Sequence, residues 1–457
     1  MVEESENTIG VNILDGDAKV AVRKLSFPLM VSLVIGSLYY IVDAMWISGL
    51  GVDALTAIGF IIPLQFIILG IGAGLGSGIT AVISKYIGMK NHKLANNASF
   101  HSLLLIIIFS VIITLLLLVF MEPLYILIGA SGMNLQLALE FSRVFFVGSI
   151  LLIFPQAMYG ILRAEGDVKR TMYAMFLSTI INIILDPIFI YQLNMGIAGA
   201  AYATLISLLI VCLVIIYWIY IKKDTYLKPY RTYFKYDAGI VRDILKIGIP
   251  ASIEFFVLSF VGIIMNLLLL MVSNSDYVAV YETGWRLISF AFEPLIGIGS
   301  ALVSIVGFNY GAKRFNRINE AYNYAMFLGT IIGIISAVIL YVFANQIAYL
   351  FAYSSTSSML HEPFVVFLKY FSITFLTFPI GVVSTYLFQG FGKANVSLLL
   401  TFTREAVCAI IFSYLFAVVF NMGLNGVWLG NVVGYTIGAF IAFIIGKIYV
   451  SRLLKNN

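Results

Sequence analysis

Twelve apolar stretches, each long enough to cross a lipid bilayer, leave this chain few folds to choose from. About 20 residues of helix span a hydrocarbon core of about 30 Å. The stretches lie near 25–49, 56–85, 97–121, 136–163, 171–192, 196–221, 243–272, 277–310, 319–351, 362–390, 396–420 and 424–449. Inside a bilayer no water satisfies exposed backbone groups, so such stretches must be helical. Hydrophobic residues make up 61% of the chain and charged ones 11%, which excludes a soluble globular domain.

The twelve divide into two sets of six because the sequence repeats itself. NMGIAG (194–199) recurs as NMGLNG (421–426), Pro28 in RKLSFPLM is answered by Pro250 in LKIGIPAS, and YIGMKNHK (86–93) by NYGAKRFN (309–316). The expected fold is an all-α polytopic membrane protein with twelve transmembrane helices in two pseudo-symmetric six-helix bundles around a central cavity. The expected layout is an amino-terminal tail (1–24), one bundle (25–221), a linker (222–242), a second bundle (243–450) and a carboxy-terminal tail (451–457). Short connections make consecutive helices antiparallel neighbours, and two bundles entered from the same face are parallel repeats. Alternating-access transporters are built in this way.

Charge placement orients the chain. Of 27 Lys and Arg, all but four (Arg143, Arg286, Lys369 and Arg404) lie toward the chain ends or in every second connection. The positive-inside pattern then predicts a multi-pass protein of the cell membrane with both termini cytoplasmic. Basic groups scattered over one membrane face argue against nucleic-acid binding. The linker KKDTYLKPYRTYFKYDAGIVR (222–242) is expected to lie along cytoplasmic headgroups. The polar first 24 residues suggest no cleavable signal peptide, with an interfacial helix from Val11 onward. Cys212 and Cys408 fall inside spans and read as packing residues.

The two halves differ in their acids. Asp43 and Asp186 lie within apolar spans of the first half, where the second half has Met265 and Phe412. Asp43 stands roughly 28 Å beyond Lys24, and Asp186 roughly 24 Å beyond Arg170, so both reach the outer half of the membrane. Asn182 shares a helix face with Asp186. Thr204 lies roughly 12 Å below the outer surface in the next span. Intramembrane carboxylates are costly and point to function, although each could instead glue helices together. Two readings fit. Close carboxylates cannot readily both ionise, so a proton could be taken up and released; alternatively, the all-oxygen set suits Na⁺. Pro28, near the inner end of its span, and Pro187, directly after Asp186, are expected to bend their helices and free backbone carbonyls.

In the second half Glu254 falls low in its span. Glu282 and Arg286, spaced i, i+4, are expected to pair, and Arg404 to neutralise Glu405 or Glu293. His92, His101 and His361 have no metal-ligand spacing, which argues against an enzyme, and His92 reads as solvated. With 36 Phe, 27 Tyr and 15 Met, a cavity wall suits amphipathic cations.

LSFPLM (25–30), SLYYIVDAMWISGLG (37–51), GILRAEGD (160–167), NIILDPIFIY (182–191) and GIAGAAYAT (196–204) together resemble the multidrug and toxic compound extrusion (MATE) family, in its DinF-like branch. The resemblance implies secondary antiport, with inward H⁺ or Na⁺ expelling cationic drugs. It implies a cation site at Asp43, Asn182, Asp186 and Thr204, with Pro28 in a bending helix. It places Tyr39, Gln156 and Ser178 in the pocket, with Phe141 where similar proteins carry tyrosine and Tyr159 where they carry asparagine. The acidic carboxy-lobe site of the NorM-like branch has no convincing counterpart. No cofactor beyond the coupling ion is implied, and the partners are small amphipathic cations and membrane lipids, with no obligatory protein partner. The rival reading is a lipid-linked oligosaccharide flippase of the same superfamily. It would want basic residues in the cavity, whereas Arg143 and Arg286 lie near the outer ends of their spans.

Overall fold

The computed structural model describes residues 8–351 and 360–455, and no strand occurs among them. Among the described residues ten helices are long and apolar enough to cross a membrane unbroken, and two helix pairs, bent by 51° and 52°, bring the spans to twelve. After a short helix α1 (Ile9–Asp15), the first lobe contains α2 (Ala18–Ser48), α3 (Val52–Gly88), α4 (His92–Leu127), the pair α5 (Gly132–Val147) and α6 (Ser149–Ala164), α7 (Val168–Pro187) and α8 (Gly196–Ile216). The second contains α9 (Ala238–Val272), α10 (Ser275–Gly311), α11 (Phe315–Val342) with short α12 (Ala344–Phe351), and the pair α13 (His361–Thr374) and α14 (Phe378–Gly390). Its last two spans are α15 (Ala394–Phe402) continued by α16 (Ala409–Tyr414), and α17 (Gly423–Lys455).

Three expected spans are not the simple rods the sequence suggests. The stretch 136–163 breaks at Gly148, where a β-carbon would come within 2.3 Å of the Leu205 side chain on α8. Glycine there lets α8 close in, and the chain bends around the contact. The stretch 362–390 breaks just before Pro379, which offers no N–H and disfavours helix in the residue before it. The stretch 319–351 ends its span at Val342, and α12 follows as a separate helix with Ala344 and Ala348 buried.

The repeat is visible in the backbone itself. Beyond Pro187 the helix widens into a π turn, Ile188–Gln192, and the matching segment of the second lobe, Leu415–Val419, does the same. Each is followed by an asparagine at positive φ, Asn194 (53°) and Asn421 (57°), and then a glycine, Gly196 (56°) and Gly423 (57°). Asparagine and glycine tolerate this left-handed region best, so the repeated N-M-G is the turn between antiparallel spans.

The lobes meet along the half of the molecule that carries the basic connections. There α3 packs on α9 with almost nothing between backbones. A β-carbon on Gly74 would lie 2.4 Å from the Gly248 carbonyl oxygen, and one on Gly78 2.5 Å from that of Ile244. Further along, Gly88 abuts the Phe308 carbonyl and Gly311 that of Lys85. Toward the other face the seam stops: Gly59 of α3 and Gly262 of α9 have no atom within 4 Å of a β-carbon position.

The linker is pinned to the first lobe. Asn97 Nδ2 donates to the Lys235 carbonyl at 2.8 Å, Asn96 Oδ1 accepts from Lys228 N at 2.7 Å, and Asp237 N donates to His101 Nε2 at 3.1 Å. His92 is not merely solvated, because its Nε2 bonds the Tyr226 hydroxyl at 3.0 Å. Helix α1 lies across the same face, Gly10 against the Glu165–Gly166 backbone and Asp15 bonded to Arg314 and Arg317. Helix α2 then starts at Ala18, capped by the Asp17 carboxylate on Val20 N (2.9 Å), within the stretch expected as tail.

Candidate functional site

Three helices of the first lobe bring oxygen-bearing side chains together. On α7, Asn182 Nδ2 donates to Asp186 Oδ1 at 3.1 Å, the i, i+4 contact that one helical turn provides. The same amide reaches Thr204 Oγ1 of α8 at 3.4 Å, and that hydroxyl shares a 3.0 Å hydrogen bond with Tyr39 of α2. Asp43, one turn beyond Tyr39, is within electrostatic reach of both Tyr39 and Asp186. Asn182, Asp186 and Thr204 are buried, and Asp43 is half-buried.

The bonding is incomplete in one respect. Asp43 Oδ1, Asn182 Oδ1 and Asp186 Oδ2 are buried and accept no hydrogen bond from any described residue. An unsatisfied buried acceptor is expensive, and three in one cluster suit a proton or a small hard cation. Among the described residues no group of three His, Cys, Asp or Glu could hold a metal ion, and the other oxygens of this cluster are those of an amide and hydroxyls.

The other sequence-derived pocket residues are placed differently. Pro28 is buried in an α2 that runs unbroken through it, and its carbonyl accepts from Ser32 Oγ at 2.6 Å. Phe141 is buried and stacks on Phe145 at 5.2 Å; Tyr159 is buried in α6. Gln156 packs against Gly72 of α3, and Ser178 is half-buried on α7. None of Phe141, Tyr159, Gln156 and Ser178 hydrogen-bonds the cluster through its side chain.

Two polar links between the lobes are not evident from sequence. Ser37 Oγ of α2 donates to Glu293 Oε1 of α10 at 3.0 Å. Nearer the basic face Ser77 Oγ of α3 donates to Gln389 Oε1 of α14 at 2.7 Å, and Ser397 Oγ donates to Glu254 at 2.8 Å. Gln389 Nε2 completes that chain with 3.2 Å to Ser397 and 3.4 Å to Glu254. Sequence spacing carries no signal for such contacts because the partners belong to different halves. Arg404 does neutralise an acid, holding Glu405 through Nε (3.0 Å) and Nη2 (2.8 Å). The expected Glu282–Arg286 pair does not form. Glu282 lies beside α9 instead and accepts from Asn266 Nδ2 at 2.6 Å, and an exposed i, i+4 ion pair contributes too little to hold it on its own helix.

The family model MatE matches residues 28–188 and 250–415, one segment in each lobe. The chain belongs to the MATE family. This MATE protein is therefore a multi-pass membrane transporter and not an enzyme. It is 25% identical to the multidrug export protein MepA of Staphylococcus aureus strain N315, over 95% of this chain and 94% of MepA. Among solved structures, a MATE in complex with MaL6 superposes with a TM-score of 0.96 at 36% identity, covering 98% of this chain and all of that one. A MOP-superfamily transporter from Pyrococcus furiosus, described as having a binding pocket of reverse polarity that suggests a different function, superposes equally well. Its TM-score is 0.96 at 35% identity, with 98% and 99% of the two chains covered.

Proposed function

We propose that this MATE protein is a multidrug efflux antiporter of the cell membrane, exporting amphipathic cations in exchange for H⁺ or Na⁺. The coupling ion binds in the amino-terminal lobe at Asp43, Asn182, Asp186 and Thr204. The observation that carries the reading is the trio of buried acceptor oxygens left unsatisfied on Asp43, Asn182 and Asp186. A cation arriving there gains ligands already in place, and Tyr39 ties the helix bearing Asp43 to Thr204. Occupation draws α2 toward α7 and α8, and release loosens it, so ion binding biases the helix that lines the cavity. The similarity to MepA, a multidrug export protein, supports the export of drugs. The termini are cytoplasmic on the positive-inside argument, which puts the lobe seam at the cytoplasmic face and the diverging ends outside.

The test is efflux of a fluorescent cation from proteoliposomes under an H⁺ gradient alone and then a Na⁺ gradient alone. Wild type should transport under one of them, and Asp43→Asn and Asp186→Asn should each lose transport at least tenfold at equal expression. Transport by both variants at the wild-type rate overturns the assignment.

A further inference from the structure

The first turns of α9 stand beside a cavity of about 560 Å³ on the basic face, lined among others by Tyr236, Arg242, Lys246, Ile249, Pro250 and Asn395. Arg242 and Lys246, spaced i, i+4, share one exposed face, and neither forms an ion pair or side-chain hydrogen bond among the described residues. Among the described residues neither nearby acid, Asp237 or Asp243, forms an ion pair with them. The Asp237 carboxylate caps α9, accepting from Gly239 N and Ile240 N. Asn395 adds an amide from the first turn of α15, whose N-cap residue Lys393 contributes no side-chain cap.

A second, smaller cavity of about 190 Å³ continues from this one through Ile249. It is lined by Ile71 and Leu75 of α3, Phe109 of α4, and Ser252, Ile253 and Phe256 of α9, with the Ser252 hydroxyl donating back to the Gly248 carbonyl at 2.9 Å. Ile249, Ile253 and Phe256 follow Lys246 at helical spacing and are all exposed, so the charged face of α9 runs directly into an apolar stripe. Depth agrees. Helix α9 has 35 residues, about 52 Å of rise, against about 30 Å of hydrocarbon. Shared between the two ends, the excess puts Arg242 and Lys246 in the headgroup layer and Ile253 and Phe256 among acyl chains.

We propose that this groove is a binding site for one anionic glycerophospholipid. Its phosphate sits between Arg242, Lys246 and the Asn395 amide, and one acyl chain lies along Ile249, Ile253 and Phe256 against α3 and α4. Two unpaired cations at the head and a predominantly apolar continuation at membrane depth, whose one hydroxyl (Ser252) is already bonded to the Gly248 carbonyl, match an anionic headgroup joined to a chain. A soluble phosphate would leave the apolar half unused. The site flanks the α3–α9 seam, so the lipid bridges both lobes where they are packed. It does not depend on the transport reading, because its test measures binding.

The probe is native mass spectrometry of the detergent-purified full chain titrated with dioleoyl phosphatidylglycerol, with dioleoyl phosphatidylcholine, and with glycerol 3-phosphate. Phosphatidylglycerol should bind with one-to-one stoichiometry, at least tenfold more tightly than either alternative. Arg242→Gln or Lys246→Gln should weaken it about fivefold each. Ile253→Trp, which fills the acyl groove and leaves both charges in place, should also weaken it. Arg452→Gln/Lys455→Gln, which removes two charges at the exposed end of α17, should leave it unchanged. Equal binding of phosphatidylcholine, or equal loss in the α17 variant, overturns the site. Glycerol 3-phosphate binding as tightly as the lipid overturns the lipid assignment.

Discussion

Ser77 and Gln389, one on each lobe, are joined by a 2.7 Å hydrogen bond at the closed half of the seam. Because Gln389 also donates to Ser397 and Glu254, its side chain couples the surface of α3 to the interior of the second lobe. Loss of a single such bond costs about 1 kcal/mol, roughly a fivefold shift in a two-state equilibrium. Gln389→Leu should therefore raise thiol labelling of Ala81→Cys, a buried seam position, about fivefold in a Cys212→Ala/Cys408→Ala background. Unchanged labelling would mean the bond contributes nothing to closure.

Backbone approach should matter more than any one bond. A β-carbon on Gly74 would meet Ser252 Oγ at 2.1 Å and the Gly248 carbonyl oxygen at 2.4 Å, neither at the end of a long flexible chain. Gly74→Ala should open the seam and increase the same labelling more than Gln389→Leu does. Gly59→Ala, on the same helix with open space around it, should leave labelling alone and gain up to about 1 kcal/mol of helix propensity. Equal behaviour of the two glycine variants would rule out the steric account.

Glu165 gives stability a pH dependence. It is 1% exposed, and burial, reinforced by Asp167, pushes its carboxyl up to about 8 against the hydrogen bond that Leu227 N donates to it at 2.9 Å. A raised folded-state value means the folded protein keeps a proton that the unfolded chain has released. The contribution is complete below about 4.5 and is lost as pH rises toward about 8, at about 1.4 kcal/mol per pH unit in between. Thermal unfolding between pH 5 and 9 should show Tm falling in wild type and a shallower slope in Glu165→Gln. Parallel slopes would remove Glu165 as the cause.

Arg404 and Glu405 form a buried ion pair, with side chains 6% and 3% exposed, and Tyr435 donates its hydroxyl to the other carboxylate oxygen. Glu405→Gln leaves a buried guanidinium uncompensated and should cost about 3–5 kcal/mol. Arg404→Met/Glu405→Gln should recover most of that loss in a thermal-stability assay. A double variant as unstable as the single would show that the pair contributes more than charge balance.

Span number and the placement of the acids were legible in the sequence, because apolar length and helical rise are local properties. Asn182 and Asp186 could be put on one face from their spacing alone, and the structure joins them at 3.1 Å. The breaks at Gly148 and before Pro379 were not legible, since the first depends on Leu205 of another helix. Spacing on one helix pairs Glu282 with Arg286, whereas in the structure Glu282 bonds Asn266 of α9. His92 looked solvated until the linker brought Tyr226 to it.

The sequence by itself determined twelve spans, their division into two repeats and the one-sided placement of Asp43 and Asp186. Each follows from patterns within single segments: burial of backbone polar groups in lipid, duplication of motifs, and the cost of a carboxylate in a bilayer. Only the tertiary structure decided which face of the molecule is sealed and which polar atoms remain unsatisfied. Those outcomes depend on how closely two backbones approach, as at Gly74 and Gly248, and on partners supplied by different helices. No periodicity along one chain segment encodes a distance between two of them.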